Sequence, residues 1–298
     1  MPDPNGDDFV HAPDITPDDL PGAYNRPRHR RPPPRHTPDG RHRLRKHYGG
    51  WRRSDADAHR LSADTFGIHL RTQVDPRDAL PPIFDQGQLG SCTANATAAA
   101  FQYDGIVDGS DPGPLSRLWI YYNERKLEGV LDQGDTGARG FDAFRVAAEI
   151  GIPPEGDWPY AIGSFEGPPP PAAVRDESYY RLTKPYARVP PVKHAFKQVL
   201  SNSQTIAFGF TVFESFESQR VARTGIVPMP ERGEEVLGGH EVLAVGYLKS
   251  EPDHVLVRNS WGRWGIDGSG YCLMPWKLIL DPVLSGDWTT IVRPVARR

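Results

Sequence analysis

The sequence predicts an α+β protein of two lobes with a cleft between them. Stretches with helical composition or spacing fill the part between residues 91 and 151. Runs rich in Val, Ile and aromatic residues, separated by glycine turns, fill most of the part after residue 203. A proline-rich stretch, EGPPPPAA at residues 166–173, lies between the two. Because clefts between lobes commonly hold binding and catalytic sites, we expect functional residues to converge there from both halves.

Four segments are predicted to be helical, at residues 91–104, 115–129, 140–151 and 192–202. The first is rich in alanine, which has the highest helix propensity, and Ser91 is a suitable N-cap for it. Apolar residues of the second recur three and four positions apart, as on one face of a helix. The third ends at Gly151 with two prolines following, so its end is well defined.

Five segments are predicted to be strands of the second lobe, at residues 204–213, 238–248, 253–261, 269–275 and 288–293. β-Branched and aromatic residues, which favour strands, are frequent in them. The stretch GIDGSG at residues 265–270 lacks the acidic spacing of a calcium-binding loop and the lysine of a phosphate-binding loop. It is therefore predicted to be a hairpin turn. Cys272, in the strand that follows, is expected to be a small buried hydrophobic residue.

The N-terminal region differs in composition from the remainder. Residues 1–25 hold six Asp and no Lys or Arg, whereas residues 26–53 hold ten Arg, one Lys and one Asp. The stretch PRHRRPPPRH is too rich in proline for helix or sheet, so residues 1–47 are predicted to be a disordered tail and residues 48–298 the folded domain. We interpret the tail as a solvated or removable segment. Alternatively, residues 26–53 are a basic arm that binds nucleic acid, an acidic partner or a membrane surface.

The composition excludes several classes of protein. No apolar run approaches the roughly 18 residues that a membrane-spanning helix needs. The N-terminus is acidic and lacks the apolar core typical of a secretory signal. Two cysteines are too few for a disulfide framework, which indicates a reducing compartment, so the cytoplasm is the expected location. The oligomeric state stays open.

Cys92 lies in QGQLGSCTANATAAA, at the start of the first predicted helix. A cysteine is nucleophilic as the thiolate, and the positive end of a helix together with a protonated histidine lowers the thiol pKa. His240 is the best partner, because the glycine pair before it leaves room beside its ring for another chain segment or a substrate. Asn259, at the end of a strand, is the candidate that orients the imidazole. Taken singly, each residue also has a structural interpretation. Cys92 suits a packed thiol, His240 a core imidazole, Asn259 a turn residue and Gln86 a polar loop residue.

Four motifs together resemble the papain family of cysteine peptidases. They are QGQLGSC, GGHEVLAVGY, VRNSWG and a later GY, in the family's order. His240 follows Cys92 by 148 residues, at the upper end of the family's spacing of about 130–150, and Asn259 follows it by 167 residues, slightly beyond that spacing. The similarity is with bacterial-type members and extends over roughly residues 48–290. It implies a papain-like two-lobed fold, with an N-terminal helical lobe, a C-terminal antiparallel β-barrel-like lobe and the active-site cleft between them.

The resemblance implies a role for each motif residue. Cys92 attacks the scissile carbonyl, and His240 takes the thiol proton and later protonates the leaving amine. Asn259 orients His240, and Trp261 covers the hydrogen bond between them. Gln86 donates its side-chain amide to the oxyanion, beside the backbone N–H of Cys92. The implied activity is hydrolysis of peptide or protein substrates without a metal or cofactor.

Glu241 is a candidate specificity residue. The resemblance places the residue after the histidine in the wall of the pocket for the substrate's second residue before the cut, where a small residue is usual, and Gly239 is expected to line the same site. A buried carboxylate needs a cation or water, so Glu241 predicts a preference for Arg or Lys. Alternatively, Arg139 or Arg258 neutralises Glu241, or its carboxylate points to solvent.

Some positions depart from the family pattern. Thr93 stands where many members carry an aromatic residue. Trp264 comes one place earlier than in the family, so the resemblance does not predict the wall of the cleft on the primed side. The tail does not resemble the family's helical inhibitory pro-region. Two other functions remain. One is a transpeptidase or amidase with the same acyl-enzyme chemistry, which added amines would reveal. The other is a binding protein acting through its basic arm, which a steep salt dependence of nucleic-acid binding would reveal.

Overall fold

The computed structural model describes residues 50–54, 69–175 and 179–293. The predicted N-terminal tail, residues 1–47, lies outside the described residues. In chain order the helices and strands are β1 (Trp51–Arg52), α1 (Cys92–Val107), α2 (Arg117–Leu127), β2 (Ala138–Arg139), α3 (Gly140–Glu149), β3 (Tyr186–Arg188), α4 (Lys193–Ser201), β4 (Ile206–Phe213), α5 (Gln219–Thr224), β5 (Val236–Gly246), β6 (His254–Arg258), β7 (Tyr271–Pro275), α6 (Trp276–Leu280) and β8 (Ser285–Ile291).

The helical lobe is built from α1, α2 and α3. Almost every side chain of α1 is buried, because its small alanines let neighbouring elements approach from all sides. α2 starts after Ser116, whose Oγ accepts a hydrogen bond from the backbone N–H of Trp119 at 3.3 Å. The indole N–H of Trp119 donates to the carbonyl of Gly151 at 2.9 Å, which ties α2 to the end of α3. The result is a lobe with α1 at its centre.

A six-stranded sheet in the order β3-β8-β4-β5-β6-β7 forms the second lobe, and each neighbouring pair is antiparallel. Along β5, alternate side chains enter two different hydrophobic clusters, because successive residues of a strand point to opposite faces. Val242 and Ala244 belong to the cluster within the sheet lobe, whereas Leu243 and Val245 belong to the cluster that includes α1. One strand therefore contributes to the cores of both lobes.

The register of β5 with its neighbours brings polar residues from three strands together. On one side, β4 pairs with β5 so that Phe210 lies opposite His240. On the other side, the last residue of β6, Arg258, lies opposite Leu243. Asn259 follows directly after β6, and this antiparallel pairing therefore carries it toward His240.

The first described residues lie across the cleft between the lobes. β1 pairs with β2 in parallel, with Trp51 opposite Ala138 and Arg52 opposite Arg139. The N–H of Ala138 also donates to the carbonyl of Gly50 at 2.8 Å. The sequence gives no signal for this pair of strands, because two residues are too few to show alternation.

The predicted α+β class, a helical lobe followed by an antiparallel sheet lobe, is confirmed. Each predicted helix and strand is present with its ends shifted by a few residues, and the structure adds β1, β2, β3, α5 and α6. The predicted turn at residues 265–270 forms around a short 3-10 helix, Ile266–Gly268. Cys272 is buried as predicted, with 1% of its surface exposed. No helix in the described part of the chain is both long and apolar enough to cross a membrane.

Candidate active site

Cys92 is the first residue of α1 and lies where the helical lobe meets β5. The backbone N–H groups of Thr93 and Glu241 are both directed at its sulfur. Ser91 occupies the predicted N-cap position, but the predicted capping bond is absent. Its Oγ instead lies 2.5 Å from the hydroxyl of Tyr160, which draws the side chain away from the helix end. The Thr93 N–H therefore stays directed at the thiol.

His240 is held by Asn259 and by two aromatic rings. The Nε2 atom of His240 lies 2.8 Å from Oδ1 of Asn259. Trp261 stacks on the imidazole with ring centroids 4.8 Å apart and an angle of 28° between the planes, and Phe210 contacts it edge-on at 5.9 Å. Asn259 Oδ1 also accepts the backbone N–H of Ser260 at 2.8 Å. Both side chains of the pair are buried, so the hydrogen bond is shielded from water.

Gln86 is fastened to the segment that carries Asn259. Its backbone N–H donates to the carbonyl of Ser260 at 2.9 Å, and its Oε1 accepts the Ser260 hydroxyl at 2.5 Å. Its Nε2 donates to the carbonyl of Leu89 at 3.0 Å. An amide nitrogen carries two N–H groups, so this arrangement fixes the orientation of the side chain and leaves a second donor for a substrate oxygen.

Residues 50–54, which we call the cover segment, lie over the cysteine. A Cβ built on Gly50 would be 2.5 Å from the Sγ of Cys92, so the glycine backbone rests directly against the thiol. A Cβ built on Gly239 would be 2.5 Å from the carbonyl oxygen of Trp51. The room beside His240, expected from the sequence to take another chain segment or a substrate, is therefore filled by a chain segment, and Cys92 is 0% exposed.

The cover segment is anchored to both lobes. The Trp51 indole N–H and the Ser54 backbone N–H donate to Oδ2 of Asp287, at 3.0 and 2.9 Å. Arg52 forms an ion pair with Glu128 of the helical lobe. Arg53 donates to two backbone carbonyls, those of Pro282 and Ser285, at 2.7 Å each. The last residues of the predicted basic arm are thus engaged within the chain.

Burial controls the protonation of Cys92 in this state. The pKa of the thiol is raised well above its ordinary value, first by burial and, when they are ionised, by the carboxylates of Glu241 and Glu124. The N–H groups of Glu241 and Thr93 act in the opposite direction and are outweighed. The sequence-based expectation of a lowered thiol pKa is therefore wrong for the covered site, because the helix end is a smaller effect than loss of water.

Within the described residues Glu241 forms no hydrogen bond with a cation and is shielded from water, although the charge of Arg188 acts on it, so neither sequence-based expectation is met. It is 1% exposed, its carboxylate lies against Gly140 at the start of α3, and neither oxygen has a hydrogen-bond partner among the described residues. Arg258 is engaged elsewhere, since it donates to the carbonyls of Pro81 and Pro82 at 2.6 Å. Burial, followed by the charges of nearby acids, raises the Glu241 pKa well above its ordinary value, so the side chain is a neutral carboxylic acid.

Sequence reasoning missed two acidic residues of the site. Asp287 is 3% exposed, and besides the cover segment it binds Arg188 through Oδ1 at 2.7 Å. Glu124 is fully buried and accepts the hydroxyl of Thr93 at 2.8 Å, directly behind Cys92. Asp287 lies in β8, whose sequence is SGDWTTI, one residue before the strand predicted from the sequence at 288–293, so the sequence pattern gave no signal for it. Among the described residues, no three His, Cys, Asp or Glu side chains are grouped so that they could hold a metal ion.

The chain belongs to the papain family of cysteine proteases, whose family model matches residues 70–277. An uncharacterised peptidase C1-like protein of Acanthamoeba polyphaga mimivirus is 40% identical over 232 residues, which cover 74% of this chain and 73% of that protein. Xylellain, a cysteine protease from Xylella fastidiosa, has a solved structure that matches with a TM-score of 0.73 and 33% identity, over 84% of this chain and 99% of the other.

A more distant structure has the same fold. Digestive procathepsin L 3 of Tenebrio molitor matches with a TM-score of 0.61 at 18% identity, over 82% of this chain and 76% of the other. The papain-like fold and the resemblance to this family, both expected from the sequence, are therefore confirmed. The chain is accordingly a cysteine peptidase, which is a hydrolase.

Replacing Glu241 with Gln tests whether the carboxyl group of Glu241 is protonated in the folded protein. A carboxyl group whose pKa is raised on folding contributes stability below its unfolded pKa of about 4.5 and loses it as pH rises toward the folded pKa. The side chain of Glu241→Gln does not ionise. The free energy of unfolding of the variant should therefore increase relative to that of wild type, by up to roughly 3 kcal/mol, as the pH rises from 5 to 7.5. Urea unfolding at several pH values measures this. Exposed Glu231→Gln is the matched control, and parallel pH profiles for wild type and Glu241→Gln would contradict the assignment.

Proposed function

We propose that the chain is an endopeptidase that hydrolyses peptide bonds through a Cys92–His240–Asn259 triad. The observation that carries this proposal is the fixed imidazole of His240. Its Nε2 is bound to Asn259 at 2.8 Å and its ring is stacked on Trp261, while the backbone N–H of the next residue, Glu241, interacts with Cys92 at the start of α1. With Nε2 committed to Asn259, Nδ1 is the atom that takes the thiol proton.

The proposed reaction has two stages. The Cys92 sulfur attacks the substrate carbonyl as its proton passes to His240, and the imidazolium then gives that proton to the leaving amine as the carbon–nitrogen bond breaks. The resulting acyl-thioester is attacked by water, whose proton His240 accepts. Return of this proton to sulfur releases the carboxylic acid and restores the thiol.

Gln86 and the start of α1 are proposed to stabilise the oxyanion. The negative oxygen of each tetrahedral intermediate needs donors that are already in place. The Gln86 side chain is fixed by Ser260 and Leu89, and one N–H of its amide remains for this oxygen. The backbone N–H of Cys92, at the positive end of α1, is the second proposed donor.

Substrate reaches this site only after the cover segment leaves it. Gly50 rests on the sulfur and Trp51 fills the space beside His240, so a peptide and the cover segment exclude each other. Departure of the segment also removes the burial that raises the thiol pKa, which favours the thiolate. Peptides and proteins are the proposed substrates and water the proposed acceptor. Incubation with added amines tests the acceptor, because amide conjugates would show transpeptidation.

An epoxysuccinyl thiol inhibitor tests the nucleophile. We expect mass spectrometry to place one adduct on Cys92 and none on Cys272, because only Cys92 faces the cleft. Cys92→Ala and His240→Ala should each abolish turnover of a peptide library while leaving the circular dichroism spectrum unchanged. Labelling of Cys272 alone, or full turnover by either variant, would contradict the proposed triad.

Removing the Trp51 side chain tests the cover. We expect Trp51→Ala to speed alkylation of Cys92 by iodoacetamide about tenfold or more, because loss of about 1.4 kcal/mol of packing shifts an opening equilibrium tenfold. Cys272 is an internal control, since its labelling reports global unfolding. Val192→Ala, at an exposed apolar side chain just before α4, is the matched surface variant. An unchanged rate at Cys92 would show that the segment does not limit access.

The environment of Glu241 gives a physical reason to expect that this residue does not create the preference for Arg or Lys suggested by the sequence. This preference requires a charged Glu241 within reach of the substrate, and the structure buries this residue as a neutral acid. We therefore expect the ratio of kcat/KM for Arg over Leu peptides to be the same in wild type and Glu241→Ala. A swing of about tenfold toward Leu in the variant, about 1.4 kcal/mol, would instead support the preference.

A further inference from the structure

Trp51 of the cover segment occupies a closed pocket in the sheet lobe. The pocket is bounded by Gly209 of β4, Gly239 of β5 and Asp287 of β8, and we call these three residues the indole pocket. Trp51 is 2% exposed in it although its segment belongs to neither lobe. A side chain from outside both lobes is thus accommodated as completely as a core residue.

The two glycines of the pocket are required by space. A Cβ built on Gly209 would overlap the indole ring of Trp51, and one built on Gly239 would lie 2.9 Å from its Cε3. Neither glycine is in the left-handed region of backbone conformation, so any residue could adopt their backbone angles. Glycine is therefore needed at these positions because any side chain there would occupy the space of the indole ring.

Asp287 provides the polar end of the pocket. Its Oδ1 is held by Arg188 at 2.7 Å, and its Oδ2 accepts the indole N–H of Trp51 at 3.0 Å and the backbone N–H of Ser54 at 2.9 Å. Departure of the cover segment removes both donors from Oδ2 together. A buried acceptor without a partner is costly, so the open pocket favours a side chain that brings a donor back.

We infer that the indole pocket selects a tryptophan side chain in the peptide substrate, with Asp287 accepting its indole N–H. This inference rests on the proposed peptidase function. Phe and Leu fill the space less well or leave Oδ2 without a donor. Arg brings donors, but Arg188 already balances the charge of Asp287, so a second guanidinium gains little and meets a like charge. Trp matches both the shape and the single acceptor.

Peptidyl vinyl sulfones measure this selectivity without requiring turnover. Four probes differ only at the second residue before the warhead, where the family resemblance places the pocket: Trp, benzothienylalanine, Leu and Arg. Benzothienylalanine has the shape of Trp but no N–H. The full chain with Trp51→Ala, which vacates the pocket, is treated with each probe, and the rate of adduct formation at Cys92 is followed by intact mass. We expect Trp to react about tenfold or more faster than benzothienylalanine, which is the cost of one unsatisfied acceptor.

Two variants in the same background locate the selectivity. In Asp287→Asn, Arg188 holds the amide oxygen and the amide nitrogen faces the pocket, so the ratio of Trp to benzothienylalanine should fall to about one. In Gly209→Ala, the added methyl takes the space of the ring, so both aromatic probes should slow about tenfold or more relative to Leu. Gly156→Ala, where a Cβ meets nothing within 4 Å, is the matched control and should change neither ratio.

The outcomes separate this inference from the function on which it rests. Equal rates for Trp and benzothienylalanine, with Cys92 labelled by both, would overturn the selectivity and leave the peptidase intact. If the Arg probe labelled Cys92 fastest, the inferred selection of Trp would be wrong, and the pocket would select a positive charge instead. Labelling of Cys92 by a small epoxysuccinyl reagent but by none of the peptidyl probes would show that the pocket serves the cover segment alone. No adduct from any reagent would contradict the proposed nucleophile itself.

Discussion

The antiparallel pairing of β4 with β5 is the constraint on which the site depends. It places Phe210 opposite His240 and Gly209 opposite Glu241. Because side chains alternate along β5, His240 points into the sheet lobe, where Asn259 and Trp261 hold it, and Glu241 points toward the helical lobe. A shift of one residue would exchange these two faces and put a carboxylic acid where the imidazole stands. Catalytic geometry and pocket shape therefore follow from one register.

The buried acids around Cys92 connect its chemistry to the cover segment. Glu241 and Glu124 both raise the pKa of the thiol, and both have raised pKa values themselves because they are buried. Acids kept neutral in this way add little negative potential at the sulfur, so desolvation by Gly50 is the main reason that the thiol stays protonated. In the proposed opening, water that enters the cleft would reverse that effect at Cys92. Access to the proposed nucleophile and its activation would then be two consequences of one movement.

The sequence was sufficient for the parts of the site that local motifs define. Cys92, His240, Asn259 and Gln86 each lie in a short motif, and the structure brings His240 to Asn259 and ties Gln86 to Ser260. The contacts of the cover segment could not be predicted, because they join distant parts of the chain with no periodic pattern. Trp51 and Asp287, for example, are 236 residues apart. The environment of Glu241 was missed for a similar reason, since it depends on Gly140 from the other lobe.

In the inferred mechanism, a substrate tryptophan and Trp51 of the cover segment bind the same indole pocket. The two side chains therefore compete, which limits how tightly the pocket can bind either of them. A pocket that binds a substrate indole more tightly also binds Trp51 more tightly, and Trp51 is tethered to the site while the substrate must diffuse to it. The effective concentration of a tethered group reaches the millimolar range, so a free peptide at lower concentration loses this competition unless other contacts of the segment fail. Arg52 with Glu128 and Arg53 with two backbone carbonyls are those contacts. The bond from Arg53 to Pro282 is exposed and therefore weak, whereas Glu128 is only 3% exposed, so its ion pair with Arg52 adds to the hold of Trp51 on the segment.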